Sequence, residues 1–175
     1  MNPLGHDLVS LEQLSPVIQI ADGLTLSQVC SISGLESSTI HNWVKRKFVP
    51  HPVNKKYSER HLARILLISA LRYCMRIESI GELMTAVNGD TDDESDDIIS
   101  EQDLYGYFIG IAARLSQIDT APKDIDELIV SVMSDYHSNK EQTERLRRAL
   151  TVMAYAYIAS GYKKRADGIL AEIRG

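Results

Sequence analysis

Two short basic runs, Lys45-Arg46-Lys47 and Lys55-Lys56, lie close together in this 175-residue chain. Clustered ammonium and guanidinium groups attract phosphates, so the chemistry they suit is the sequence-independent part of nucleic-acid binding. The whole chain is acidic, with a formal net charge of -5, but its charge is unevenly spread. Residues 25–76 carry nine basic side chains against two acidic ones, whereas residues 77–135 carry two against fifteen. One basic segment inside an acidic protein is the first functional signal.

Apolar periodicity predicts the helices that must position these side chains. Thr25-Leu26-Ser27-Gln28 has the spacing of a capping box, and Gly34 is placed to end the short helix that it opens. A second helix follows, with Ile40, Trp43 and Val44 on its buried face. The polar side chains predicted to face outward from it are Ser38, Thr39, His41, Asn42, Lys45 and Arg46.

A turn is predicted to separate the second helix from a third. Pro50 and Pro52 exclude a helix, and Asn54-Lys55-Lys56-Tyr57 is typical of a tight turn. Ser58 is a start signal for a long helix that we expect to reach Met75. The sequence therefore predicts a basic projection between two helices.

Residues 25–84 resemble the DNA-binding domain of MerR-like transcriptional regulators, and the arrangement is most similar to an uncharacterised branch of unknown function. The resemblance lies in the order of a short capped helix, a glycine turn, a polar-faced helix and a basic wing. It includes Leu35-Glu36-Ser37-Ser38-Thr39-Ile40, Lys56-Tyr57-Ser58-Glu59-Arg60 and Ser79-Ile80-Gly81-Glu82-Leu83-Met84. The last of these runs also has the spacing of a second capping box.

The resemblance implies a winged helix-turn-helix and a role for each matching residue. Thr39, His41 and Asn42 would face the DNA major groove, and Tyr57 and Arg60 would contact phosphate. Asn42 could pair with adenine, and further phosphate attraction would come from Lys45, Arg46, Lys55 and Lys56. The family usually has an arginine and an aromatic residue where this chain has His41-Asn42-Trp43, so no operator sequence is implied.

The predicted fold is all-α, with an N-terminal winged helix-turn-helix and a C-terminal helical domain. The predicted units are an N-terminal helical extension (1–24), the DNA-binding domain (25–87), an acidic linker (88–100) and a dimerisation or effector domain (101–175). Four helical stretches are expected after the linker. The first carries the seam Leu104, Phe108, Ile111, Leu115 and Ile118, whose 4-3-4-3 spacing favours a homodimer, although one chain could also bury it alone.

Six of the eight tyrosines lie after residue 100: Tyr105, Tyr107, Tyr136, Tyr155, Tyr157 and Tyr162. Tyrosine combines an apolar ring with a polar tip, which ligand pockets use for orientation. This distribution favours a site for a small-molecule effector of unknown identity. Ordinary packing of the helices is the alternative explanation.

Other chemistries lack the residues they need. No phosphate-binding glycine loop, nucleophile elbow or zinc-protease motif occurs, so we expect no enzyme and no cofactor. Asp90 to Glu101 have the spacing of a calcium loop, but Ser95 replaces its glycine, and the histidines form no ligand face, so we expect no metal. Cys30 and Cys74 are expected to be buried thiols, and no apolar run is long enough to predict a membrane span.

The resulting hypothesis is a cytoplasmic, sequence-specific transcriptional regulator whose partners are double-stranded DNA and a second copy of the chain. Two alternatives remain open. One is a non-catalytic protein-interaction adaptor that retains the fold, which the acidic linker favours because it could shield the basic face. The other is an excisionase-like architectural DNA-binding factor, although such factors usually lack the C-terminal residues present here.

Overall fold

The computed structural model describes residues 8–115 and 121–174, and that part of the chain contains eight α-helices. They are α1 (Leu11–Ile20), α2 (Leu26–Ser33), α3 (Ser37–Lys45), α4 (Glu59–Leu71), α5 (Ile77–Asn88), α6 (Glu101–Leu115), α7 (Pro122–Val132) and α8 (Lys140–Arg174). The described residues form two isolated β-bridges and no strand, which confirms the all-α prediction. None of these helices is both long and apolar enough to span a bilayer.

The central helix of the fold is α4. Eleven of its thirteen residues are buried, and it packs against α1, α2, α5, α6 and α8. A helix that is buried on nearly every side belongs to the interior of the core. One apolar cluster therefore extends from Leu11 in α1 to Ile158 in α8 and includes side chains from both predicted units, 25–87 and 101–175.

The start of α5 differs from the prediction. Its N-cap is Arg76, so Ser79 lies inside the helix and the predicted capping box at this position is wrong. Gly81 has a packing role instead, since a Cβ atom there would come within 2.9 Å of the Phe48 ring. The glycine allows α5 to approach the segment that follows α3.

The C-terminal part contains three described helices where the sequence predicted four. The two apolar stretches expected around Leu146 and Ile169 belong to α8, a single helix of 35 residues. It contains no proline, and each internal glycine costs a helix only about 1 kcal/mol relative to alanine, which packing can offset. Four residues of the predicted α6 seam are buried inside this chain, and Ile118 lies outside the described residues.

A buried ion pair joins α4 to α6. Arg64 Nη1 lies 3.0 Å from Glu101 Oε1, and each side chain is only 1% exposed. Arg60 Nε lies 3.0 Å from the other carboxylate oxygen of Glu101. Both oxygens of one buried carboxylate are therefore paired with guanidinium groups, as a charge removed from water requires.

We expect Arg64→Met to lower the free energy of unfolding by about 3 kcal/mol, because it leaves a buried carboxylate with one of its two partners. Urea denaturation followed by circular dichroism measures this change. Arg145→Met is the matched control, since its pair with Glu141 is exposed and should be worth less than about 0.5 kcal/mol. Equal effects of the two substitutions would contradict the importance of the buried pair.

Candidate nucleic-acid interface

The outer face of α3 carries most of the predicted base-reading side chains. Ser38, His41, Asn42 and Lys45 are exposed and fall at positions i, i+3, i+4 and i+7, so they form one stripe along the helix. Thr39 is half-buried beside them. This face presents hydroxyl, imidazole, amide and ammonium groups together.

The opposite face of α3 and the preceding helix hold this stripe in place. Ile40, Trp43 and Val44 are all buried, which confirms the predicted core face. The predicted capping box of α2 is confirmed: the Thr25 side chain accepts from the Gln28 backbone, and the Gln28 side chain accepts from the Thr25 backbone. Gly34 ends α2 with φ 67°, a left-handed conformation that glycine adopts at little cost.

A basic turn forms between α3 and α4 as predicted, but it spans residues 53–56 and not the predicted residues 54–57. Val53 and Lys56 make an antiparallel bridge, and both residues between them have positive φ, 50° for Asn54 and 61° for Lys55. Positive φ at both central positions is the geometry of primed hairpin turns. At its base, the turn is joined to the residue before Thr25 by two backbone hydrogen bonds of 2.8 Å between Leu24 and Tyr57.

A buried histidine fastens this turn to α4. His61 accepts at Nδ1 from the Ser58 backbone N–H, 3.1 Å away, and its Nε2 lies 3.1 Å from the His51 carbonyl oxygen. This arrangement requires a neutral imidazole protonated at Nε2. Burial lowers the pKa of His61, which keeps the ring neutral.

The predicted basic side chains differ in their accessibility to a phosphate group. Lys45 and Lys55 are exposed and form no ion pair with the described residues. Arg46 forms a 2.6 Å ion pair with Glu78, but both side chains are largely exposed, so the pair is weak. Lys56 is half-buried, and its ammonium group donates to the Ala21 and Gly23 carbonyl oxygens at 3.3 and 3.4 Å.

Tyr57 and Arg60 require a correction, because the structure does not place them on the surface. Tyr57 is 3% exposed and packs edge-on against His61. Arg60 is 9% exposed and is paired with Glu101 and, at 3.3 Å, with Glu94. In this arrangement neither side chain can make the phosphate contact that the resemblance implies.

The acidic segment 88–100 is docked against the basic unit, where the sequence predicted a linker. The Thr91 carbonyl accepts from Arg60 at 3.1 Å, and the Thr91 hydroxyl donates to the Lys47 carbonyl at 3.0 Å. Arg64 donates to the Thr91 hydroxyl at 3.2 Å. The loop is therefore tied to both α4 and the end of α3.

Sequence reasoning did not identify Arg64, Thr91 and Glu101 as members of this network. A usable signal existed for Arg64, since a charged residue inside the apolar run of α4 must find a buried partner. The partner's identity depends on the tertiary fold, because Glu101 lies 37 residues further along the chain.

Asp97 lies at the edge of the same network with an unfavourable environment. One of its carboxylate oxygens is buried and has no hydrogen-bond partner among the described residues. Partial burial, with the nearby charge of Glu101, raises its pKa to about 7. Below about pH 7 the folded protein therefore favours the protonated form of this side chain.

The thiols also differ from the prediction: Cys74 is exposed and Cys30 is half-buried. Within residues 8–115 and 121–174, no group of three or more histidine, cysteine or acidic side chains could hold a metal ion.

These observations describe an all-α protein in which one short helix presents a polar and cationic face beside a rigid basic turn. The chain belongs to the family described as Domain of unknown function (DUF1836), whose profile matches residues 9–108. It is similar to the uncharacterized protein YkrK of Bacillus subtilis (strain 168), with 28% identity over 126 residues that make up 70% of this chain. The chain spans about half of that relative, 51% of its length. No solved structure matches it.

We expect Asp97→Asn to stabilise the protein at pH 8 by about 1 kcal/mol, discounted from the full pKa shift because the side chain is only partly buried. A raised pKa means that stability is greatest below the unfolded value and is lost as the pH rises through about 7. The gain should therefore shrink as the pH falls towards 4.

Urea denaturation at pH 4.5, 6 and 8 measures this profile. Asp93→Asn is the control, because the pKa of Asp93 is lowered by its hydrogen bond from the Ser95 backbone and its substitution should bring no gain. A pH-independent effect of Asp97→Asn would contradict the assigned cause.

Proposed function

We propose that this protein is a sequence-specific DNA-binding transcriptional regulator and not an enzyme. In this proposal α2 and α3 act as a helix-turn-helix, and residues 50–57 form its wing, as in the MerR-like regulators. The observation that carries the proposal is the exposed stripe Ser38, His41, Asn42 and Lys45 on α3. An α-helix fits the major groove, where such side chains distinguish base pairs.

The surroundings of α3 support the same proposal. The helix is short and rests on a buried tryptophan, so its outer face is held rigidly by the core. The Lys55 side chain is exposed at the tip of a turn anchored by backbone pairing and by His61. A rigid reading helix with a basic projection would combine base readout with phosphate attraction. Because its proposed target is double-stranded DNA, we also propose that the protein acts in the cytoplasm.

The adaptor alternative has one observation in its favour. Glu94 of the docked acidic loop and Glu101 at the start of α6 neutralise Arg60 and Arg64, two of the nine basic side chains of residues 25–76, and so weaken the field around the basic unit. An adaptor should bind no duplex DNA at low salt. An excisionase-like factor should bind and bend DNA but need no C-terminal helices.

The first test is DNA binding by the full chain, with fragments selected from random duplex DNA and affinity measured by fluorescence anisotropy at several salt concentrations. Asn42→Ala should weaken selected sites by about 1–3 kcal/mol and leave random DNA nearly unaffected. Lys55→Ala should weaken binding to selected and to random DNA. It should also reduce the slope of log affinity against log salt concentration by about 0.9.

Lys123→Ala is the matched control for Lys55→Ala, since it removes an exposed lysine from α7 and should leave the salt slope unchanged. If the wild-type chain selected no fragment at about 50 mM salt, where counterion release favours binding, the DNA-binding proposal would be wrong.

We also propose a homodimer, formed through the end of α8 and not through the predicted α6 seam, which the chain buries itself. Large apolar side chains are exposed along this end: Tyr162 is 66% exposed, Ile169 52% and Ile173 75%. With Ala166 they follow a 4-3-4 spacing, which two packed helices can bury. Arg165 and Glu172 flank one edge of this row and would face each other across an antiparallel pair.

Ile169→Glu should shift the protein from dimer to monomer, because it places a charge in the apolar row. Sedimentation equilibrium at 5–50 μM measures the mass. Val130→Glu is the control, since it changes an exposed apolar residue of α7 that is 61% exposed and lies outside the row. A wild-type mass of 19.6 kDa at every concentration would overturn the dimer proposal.

A further inference from the structure

A cleft of about 740 Å³ lies between α1, the first turn of α4, α6 and the residues that follow α7. Its floor includes Gly106 and Gly110, which are one helical turn apart on α6. A Cβ atom at Gly106 would meet nothing within 4 Å. The absence of a side chain there leaves the cleft open, since a larger residue would project into it.

Of the three tyrosines that line the cleft, Tyr105 is buried and donates to the Val9 carbonyl oxygen, and the hydroxyl groups of the other two are also fixed by hydrogen bonds. Tyr107 donates to Asp135 Oδ1 at 2.7 Å, and Tyr136 donates to the Ile98 carbonyl oxygen at 2.8 Å. Both side chains are half-buried, and Ile98 and Ile109 add apolar surface beside them. The cleft therefore has aromatic and aliphatic surface of the kind that binds an apolar chain.

The charged groups of the cleft all have the same sign. Glu12, Glu59, Asp103 and Asp135 line it, and no lysine or arginine does so among the described residues. Glu59, Asp103 and Asp135 accept hydrogen bonds from Ser15, Ser100 and Tyr107. None of the four carboxylates has an ion pair in the described structure, whereas Glu101 and Glu144 are each paired with two arginines.

The separation of these carboxylates around the cleft indicates which kind of cation it could bind. They do not form a group that could hold a metal ion in the described part of the chain. Negative charge distributed around an apolar cleft suits an extended molecule that carries ammonium groups and methylene segments, with tyrosine rings able to contact either part. We propose that this cleft binds a linear aliphatic diamine or polyamine.

The position of Glu59 gives such a ligand a route to the rest of the molecule. Glu59 is the first residue of α4 and follows the paired base of the basic turn at Tyr57. A ligand held by Glu59 on α4 and by Asp135 after α7 would stabilise one placement of α4 relative to the C-terminal helices. Its effect on regulation rests on the proposed DNA-binding function, whereas binding itself does not.

Calorimetric titration of the full chain with 1,5-diaminopentane at 150 mM NaCl, without DNA, tests the proposal. The neutral 1,5-pentanediol has the same chain length and should bind at least about tenfold more weakly, because it lacks the charges that the carboxylates attract. Gly106→Trp should fill the cleft, and Asp135→Asn removes one charge but keeps an acceptor for Tyr107. Each should weaken diamine binding by about tenfold.

Two variants control for surface area and charge. Val130→Trp adds the same ring to an exposed site on α7, and Glu127→Gln removes one charge from that helix, so both should bind the diamine within about twofold of wild type. Circular dichroism checks that each variant is folded.

Three results would overturn the proposal: no heat of binding with wild type, equal binding of the diol, or equal losses in the control variants. Equal losses in the control variants would show that the diamine is attracted only to the acidic surface in general. If the diamine binds as expected but leaves selected DNA affinity unchanged, the site stands and its regulatory link fails. Failure of all DNA binding would instead count against the proposed function only.

Discussion

The arrangement of the helices around α4 depends on the hydrogen bonds of the buried Arg64 guanidinium group. This group donates to the Phe48 carbonyl oxygen at 2.7 Å, to Glu101 at 3.0 Å and to the Thr91 hydroxyl at 3.2 Å. These partners belong to the segment after α3, to α6 and to the acidic loop. An arginine that is 1% exposed must use its donors internally, so its burial requires all three segments to lie around α4.

Local signals in the sequence predicted the elements that depend on neighbouring residues. The capping box at Thr25, the left-handed glycine at Gly34 and the buried Trp43 each follow from a few consecutive positions. The same reasoning failed at Ser79, because α5 begins at Ile77 after the N-cap Arg76 and Ser79 lies inside the helix. It also divided α8 in two, since a helix held by tertiary contacts continues through positions of low intrinsic propensity.

The candidate site was predicted where side chains are exposed and missed where charges are buried. The stripe on α3 follows from helical periodicity, so Asn42 and Lys45 were placed correctly on its outer face. Arg60 and Arg64 were counted with the basic segment, yet their shared partner Glu101 lies 41 and 37 residues away from them, respectively. Counting charge along the sequence cannot separate a side chain that attracts a ligand from one that neutralises the protein's own acid.

Helix α6 contributes both to the core and to the cleft. Its row Leu104, Phe108 and Ile111 is completely buried in the core, and a 4-3 spacing alone does not tell whether the covering helix comes from the same chain. Gly106 and Gly110 lie off this row and line the cleft, and Gly106 faces open space. Glu101, at the start of α6, meanwhile fixes α4, so the cleft and the α3 face are connected through a single buried helix. A ligand can use that connection only to the extent that it binds one placement of α4 more tightly than another.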